Sequence, residues 1–178
     1  MDVQQAKAPV VKGALYKLGL ILLLSISFSG LQAQSKSFHA QMRNILSFSV
    51  DTIQSRQLLH KIIKKEAVLL DCREEYEFNV SQIYSAKRVG FNDFNMAKMK
   101  NIKKDEFIVV YCSVGARSEK IGELLIKNGY TNVHNLYGGI FAWSNFGYPV
   151  YSKSKKTDNI HAYDKEWGKL LEHGKKIY

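Results

Sequence analysis

Few metal-binding side chains are present, and none is spaced to act with another. The 178-residue chain has two cysteines and five histidines, with no two of them two to four positions apart, the spacing structural metal sites use. No metal and no cofactor is expected. Long apolar runs are scarce too. The uncharged run Leu18–Leu31 is shorter than the roughly 20 residues a spanning helix needs, and serines dilute its end. No cysteine follows it, which argues against a lipid anchor, and no twin arginine precedes it. No internal repeat or low-complexity tract is apparent. The net charge is +10, but the lysines are spread over several elements without aromatic interleaving or a nucleic-acid motif. No nucleic-acid partner is expected; the basic surface is a solvated one with a mild pull on anionic substrates.

The first 33 residues hold three lysines and one aspartate, leaving +8 on residues 34–178. Lys7, Lys12 and Lys17 precede the apolar run, and Leu31-Gln32-Ala33 resembles a cleavage site. This is the layout of a secretory signal peptide over 1–33. The mature chain is expected to be exported, in the periplasm, after cleavage near Ala33. The alternative is a membrane anchor formed by the uncleaved segment.

The richest stretch runs from Phe107 to Gly129. Phe107-Ile-Val-Val-Tyr111 is an apolar, β-branched run of strand length, as the interior of a doubly covered parallel sheet requires. It stops at Cys112, and a short loop leads to Ser118 and a helical pattern. Ile121, Leu124 and Leu125 make its apolar face, Glu119 lies in its first turn and Gly129 suits its end. Open α/β sheets bind ligands at the carboxyl ends of their strands, where Cys112 falls. Loop N–H groups, the helix N-terminus and Arg117 all favour thiolate over thiol, making Cys112 a candidate nucleophile. Gly115 supplies a backbone conformation that a Cβ would hinder.

The pattern Cys112-x-x-Gly115-x-Arg117-Ser118 after an apolar strand resembles the active-site loop of rhodanese-like sulfurtransferases. Upstream, Val68-Leu-Leu-Asp71-Cys-Arg73-Glu74-Glu75-Tyr76-Glu77-Phe78 is similar to the family's strand ending in Asp-Val-Arg and the acidic segment after it. Downstream, Asn128-Gly-Tyr130, Val133, Leu136-Tyr-Gly138-Gly139 and Trp143 resemble its Gly-Phe-x-x-Val…Gly-Gly…Trp segment. One departure is Ser81-Gln-Ile-Tyr-Ser-Ala86, where the family usually has Gly-His-Ile-Pro-Gly-Ala. The resemblance implies an α/β fold with a small, mostly parallel sheet of about five strands flanked by helices on both faces. It also implies sulfane-sulfur transfer from thiosulfate or a related anionic donor to a thiol or cyanide acceptor, through a persulfide on Cys112. Cys112 and Arg117 are the catalytic candidates. Ser113, Val114, Gly115, Ala116 and Ser118 line the loop, and Asp71 and Arg73, two apart and on one side of a strand end, brace the surrounding loops. Rival readings are a non-catalytic, sulfur-carrier or redox-sensing module, and a phosphatase or arsenate reductase. The last two use a longer loop; the four residues between Cys112 and Arg117 make a ring better sized for one sulfur.

The expected order is a lead-in segment over 34–48, a domain over 49–151, and a basic linker with a C-terminal amphipathic helix over 152–178. Within the domain, strands are expected near Ser49–Ile53, Ala67–Asp71, Lys87–Gly90 and Asn132–Leu136, a helix over 55–63, and a short helix carrying Glu74, Glu75 and Glu77. Residues 91–104 read as a helix or irregular crossover. His60 reads as a surface or half-buried position, His134 as a solvent-facing strand position, and Phe141, Trp143 and Phe146 as core. In the tail, Trp167, Leu170 and Leu171 give the helical spacing, docking back on the domain or, alternatively, on a membrane or partner. Cys72 and Cys112 fall at the same end of neighbouring strands. Either they form a disulfide, or Cys72 fills an apolar slot facing away from Cys112.

Overall fold

The computed structural model describes residues 37–178. The leader expected over 1–33 and the start of the lead-in segment lie outside the described residues. Among those described, 37–45 are helical, and no helix is long and apolar enough to cross a membrane.

The unit Met42–Tyr178 is built on a five-stranded sheet. Its strands are β1 (Thr52–Ile53), β2 (Val68–Asp71), β4 (Lys87–Arg88), β5 (Ile108–Tyr111) and β6 (Val133–Leu136), in the order β1–β6–β5–β2–β4. Every pairing is parallel. The apolar run of β5 takes a central place because all four of its residues are buried. Four helices accompany the sheet: α1 (Ser55–Ile63), α2 (Glu75–Val80), α3 (Ala116–Lys127) and α4 (Gly139–Asn145). On one face Leu70, Cys72, Val110 and Cys112 pack with Ile121 and Leu125 of α3 in a single apolar cluster. Burying each such aliphatic side chain contributes roughly 1.5–3 kcal/mol. Leu69, Val109 and Tyr111, one position off, point the other way and are also buried, so both faces are covered.

Residues 91–104 form turns and one 3-10 turn, Met96–Met99. His60 is exposed, and the half-buried His134 stacks on Phe107 at 4.3 Å. Phe141 and Trp143 are buried as expected, but Phe146, just past the end of α4, is 65% exposed.

The C-terminal region differs from the expected linker and helix. β7 (Val150–Ser152) pairs antiparallel with β3 (Gln82–Ile83) on one side and β8 (Lys155–Thr157) on the other. Lys153 and Ser154, both at positive φ, make the two-residue turn between β7 and β8, as hairpins of right-handed twist prefer. Then β9 (Asn159–His161) pairs parallel with β10 (Lys175–Ile177). Trp167–Leu170 between them is a 3-10 turn. Tyr163 at φ 66 and Gly174 at φ 104 leave the right-handed helical region on either side, so the apolar spacing never extends into an α-helix. The segment does dock back: Asn145 donates to Leu170 O at 2.8 Å and accepts from Glu172 N at 2.7 Å, and Ser144 Oγ donates to His173 O at 2.8 Å.

Candidate active site

The site begins where β5 ends. Beyond Tyr111 the chain turns through Cys112–Gly115 into α3, with Gly115 at φ 111 as the helix N-cap. Three contacts fix which way this loop's peptides face. Ile140 N donates to Cys112 O at 2.9 Å and Phe141 N to Ser113 O at 3.1 Å. Asn135 Nδ2 donates to Gly115 O at 3.0 Å, beside the Ser118 hydroxyl, which lies 2.7 Å from Asn135 Oδ1. With these carbonyls bound outside the loop, the trans-peptide N–H groups of Ser113, Val114 and Ala116 turn the other way. Gly115 N itself donates to Cys112 Sγ at 3.1 Å. The first-turn amides of α3 have no intrahelical acceptor, and the helix dipole adds to their pull on an anion. Gly139, at φ 55, lets α4 come this close: a Cβ there would meet Cys112 O and lie 2.6 Å from Ser113 O.

Arg117 lines the cavity with Cys112, and its charge is shared with a carboxylate. Its two terminal nitrogens fork onto Glu77 at 2.6 and 2.7 Å, and one also donates to Ser113 Oγ at 3.1 Å. Glu77 is fully buried, where a lone carboxylate is costly. Burial pushes its carboxyl up, but the Arg117 hydrogen bond and charge outweigh that and hold it below the ordinary glutamate value. It also accepts from Glu74 N at 3.0 Å and Ser113 Oγ at 3.2 Å. Glu77 therefore belongs to the site. The sequence placed it only in a short helix, and nothing local pointed to a partner 40 residues away.

Asp71 and Arg73 pair with each other at the end of β2. Both are fully buried, 2.6 Å apart, and Arg73 Nη2 also donates to Ser81 O at 2.6 Å. Ile83 N donates to Tyr111 Oη at 3.2 Å. These two bonds hold the 81–86 loop, which lacks the histidine and proline usual in the family it resembles.

Cys72 does not face away from Cys112. Cys72 N donates to Tyr111 O, extending the β2–β5 register, and parallel strands in register present matched residues on one face. Both cysteines are free and buried in one cluster. Burial pushes the Cys72 thiol well above its ordinary value, with Cys112 and Asp71 adding to the push, which leaves it a poor nucleophile.

A cavity of about 120 Å³ opens at the loop, lined by Cys112, Ser113, Val114, Ala116, Arg117, Tyr163 and Trp167. The last two come from the C-terminal region. Ser118 stands behind the loop as a support, its hydroxyl shared between Gly115 O and Asn135 Oδ1. Among the described residues no group of three or more His, Cys, Asp or Glu is placed to hold a metal ion.

Comparison with known proteins identifies the family and the fold. Residues 55–146 match the rhodanese-like domain. A sulfurtransferase from Allochromatium vinosum is 36% identical over 102 residues, covering 57% of this chain and 94% of that protein. A tRNA uridine(34) hydroxylase from Onion yellows phytoplasma is 31% identical over 93 residues, but the chain spans 30% of its length. Among solved structures, a rhodanese-related protein from Thermoplasma volcanium is 29% identical with a TM-score of 0.50, covering 57% of this chain and 97% of that one. A thiosulfate sulfurtransferase from Pseudomonas aeruginosa shares the fold at a TM-score of 0.54 and 18% identity, over 68% of this chain and 23% of that one. With its cysteine loop at the tip of a parallel strand and a family match over more than half its length, this chain belongs to the rhodanese-like family.

Proposed function

We propose that this protein is a sulfurtransferase that moves a sulfane sulfur from thiosulfate or a related donor to a thiol or cyanide through a persulfide on Cys112. The observation that carries this reading is the Gly115 N–H at 3.1 Å from Cys112 Sγ, in a loop whose carbonyls are tied outward.

The Cys112 thiolate attacks the outer sulfur of thiosulfate. The new S–S bond forms as the bond to the sulfonate sulfur breaks, and sulfite leaves with the electron pair. The terminal persulfide sulfur then takes the anionic charge, within reach of the loop and helix amides. A thiolate or cyanide attacks that outer sulfur, the S–S bond breaks, and Cys112 returns to its starting state. This is double-displacement covalent catalysis, with the amides acting as oxyanion-type donors. Arg117, held by Glu77, sets the loop's shape and adds a compensated positive charge nearby. Asp71 and Arg73 take no part in bond making.

Thiocyanate formation from thiosulfate and cyanide tests the reading. Ping-pong kinetics are expected in the wild type and no turnover in Cys112→Ser. Turnover of an aryl phosphate that depends on Cys112 would instead favour phosphate chemistry. We also propose export with cleavage near Ala33; N-terminal sequencing of the protein from fractionated cells tests that, an intact Met1 end in the membrane fraction pointing to the anchor.

A further inference from the structure

The rhodanese-like match ends at residue 146, yet the cavity over Cys112 is closed on one side by residues beyond it. Tyr163 and Trp167 line that cavity with the loop residues, and the Arg117 guanidinium lies over the Tyr163 ring at 5.1 Å, within cation–π range.

Both rings are held by the backbone around them. Tyr163 sits at φ 66, a region non-glycine residues rarely enter, and its N–H donates to His161 Nδ1 at 3.1 Å. Ala162 N, next to it, donates to Ile177 O at 2.8 Å. Asp164 Oδ1 accepts from Glu166 N and Trp167 N at 2.8 and 2.9 Å. Gly168 fits under Tyr178, since a Cβ there would lie 2.8 Å from its hydroxyl oxygen. Asn145 and Ser144 of α4 tie down residues 170–173. The two rings thus form a wall on a tied-down backbone, and Tyr163 remains 46% exposed.

The charges behind that wall are already matched. Arg117 is forked onto Glu77, and Arg73 onto Asp71. A compact dianion such as thiosulfate would therefore shed water against two aromatic rings without meeting an uncompensated cation. A donor that carries its sulfane sulfur on a flat apolar body would instead gain contact with them. A cavity of about 120 Å³ is of the size that holds one small ring.

We propose that Tyr163 and Trp167 are specificity-determining residues of the sulfur-donor site, selecting organic sulfane-sulfur donors with an apolar body over inorganic thiosulfate. This rests on the sulfurtransferase reading and names its donor class. With an aryl thiosulfonate, the Cys112 thiolate bonds to the outer sulfur, the bond between that sulfur and the sulfonyl sulfur breaks, and the electron pair leaves with the aryl sulfinate. No oxidant or reductant is consumed.

The test measures kcat/KM for benzenethiosulfonate and for thiosulfate, with cyanide as acceptor, in the wild type, Tyr163→Ala, Trp167→Ala and Tyr163→Phe. The ratio of the two values should fall about tenfold in each alanine variant, mainly through KM for benzenethiosulfonate. It should stay within about twofold in Tyr163→Phe, which keeps the ring. Should Tyr163→Ala fail to fold by circular dichroism, Trp167→Ala carries the test. An unchanged ratio in the alanine variants, or a fall in step for both donors, overturns the assignment. A wild type that takes sulfur from neither donor contradicts the sulfurtransferase reading itself, whereas transfer from both with a ratio blind to either ring contradicts only the wall.

Discussion

Arg117 in the first turn of α3 and Glu77 in α2, 40 residues apart in sequence, meet in a two-pronged ion pair of 2.6 and 2.7 Å beneath the Cys112 loop. The pair neutralises a buried carboxylate and fixes the start of α3, so the loop's shape depends on it. Glu77→Gln removes the charge but keeps the volume. Unfolding in urea should show a loss of roughly 3 kcal/mol, as expected when one partner of a mostly buried pair is removed. Sulfur transfer should fall on the order of tenfold or more, since a loosened loop misdirects its amides. A variant with wild-type stability and rate would show the pair to be incidental.

Acid should undo the same interaction. Glu77 titrates below its ordinary value in the fold. The stability it contributes is therefore complete above the unfolded glutamate value of about 4.3 and is lost as pH falls through the lower folded value. Urea midpoints taken from pH 7 downward should show the wild type and Glu77→Gln converging below about pH 4. A gap that stays constant through this range would assign the titration to other carboxyls.

Asp71 and Arg73 are the more deeply buried pair, with both side chains fully excluded from solvent. Asp71→Asn leaves the guanidinium uncompensated and should cost about 3–5 kcal/mol in urea unfolding. Replacing both by apolar residues, Asp71→Leu with Arg73→Met, should recover much of that loss. A double variant no better than the single one would mean that the Arg73 bond to Ser81 O matters more than the charge.

Gly139 is where α4 meets the loop's carbonyls. In Gly139→Ala the methyl would press on Cys112 O and Ser113 O, at a φ of 55 that side chains rarely adopt. The Ile140 and Phe141 amides would be pushed off those carbonyls. Transfer should drop on the order of a hundredfold and the melting temperature should fall; near-normal kinetics would show that the loop does not depend on α4.

Asn145 binds three backbone groups of the C-terminal segment: Leu170 O, Glu172 N and His173 N. Asn145→Ala should cost about 1–2 kcal/mol of local stability and speed amide exchange over 170–173 roughly tenfold. Exchange that is unchanged there, or raised everywhere alike, would contradict the segment's dependence on this one side chain.

What could be read from the sequence followed local chemistry. The β-branched run of β5, the cysteine at its tip, the glycine in the loop and the apolar face of α3 are short-range signals, and each leads to the placement observed, save that Leu124 is 44% exposed while Ile121 and Leu125 are buried. Asp71 closes β2 and Arg73 follows two residues later, so closeness in sequence already suggested their pairing. The pairing of Glu77 with Arg117 crosses 40 residues and leaves no local trace. Cys72 was open to misreading because the β2–β5 register, not composition, puts it on the face of Cys112. In the tail, Trp167, Leu170 and Leu171 have helical spacing, but Tyr163 and Gly174 at positive φ break the helix. Strand pairing between β9 and β10 takes over the backbone hydrogen bonds. That misreading also hid the aromatic wall.

The central claim is that Cys112 carries sulfur. Intact mass spectrometry of the protein after incubation with thiosulfate, mercaptopyruvate or glutathione persulfide tests it most directly. A gain of one sulfur atom is expected, mapping to Cys112, removed by cyanide and absent in Cys112→Ser. No gain from any donor, or a gain that survives in Cys112→Ser, would contradict it.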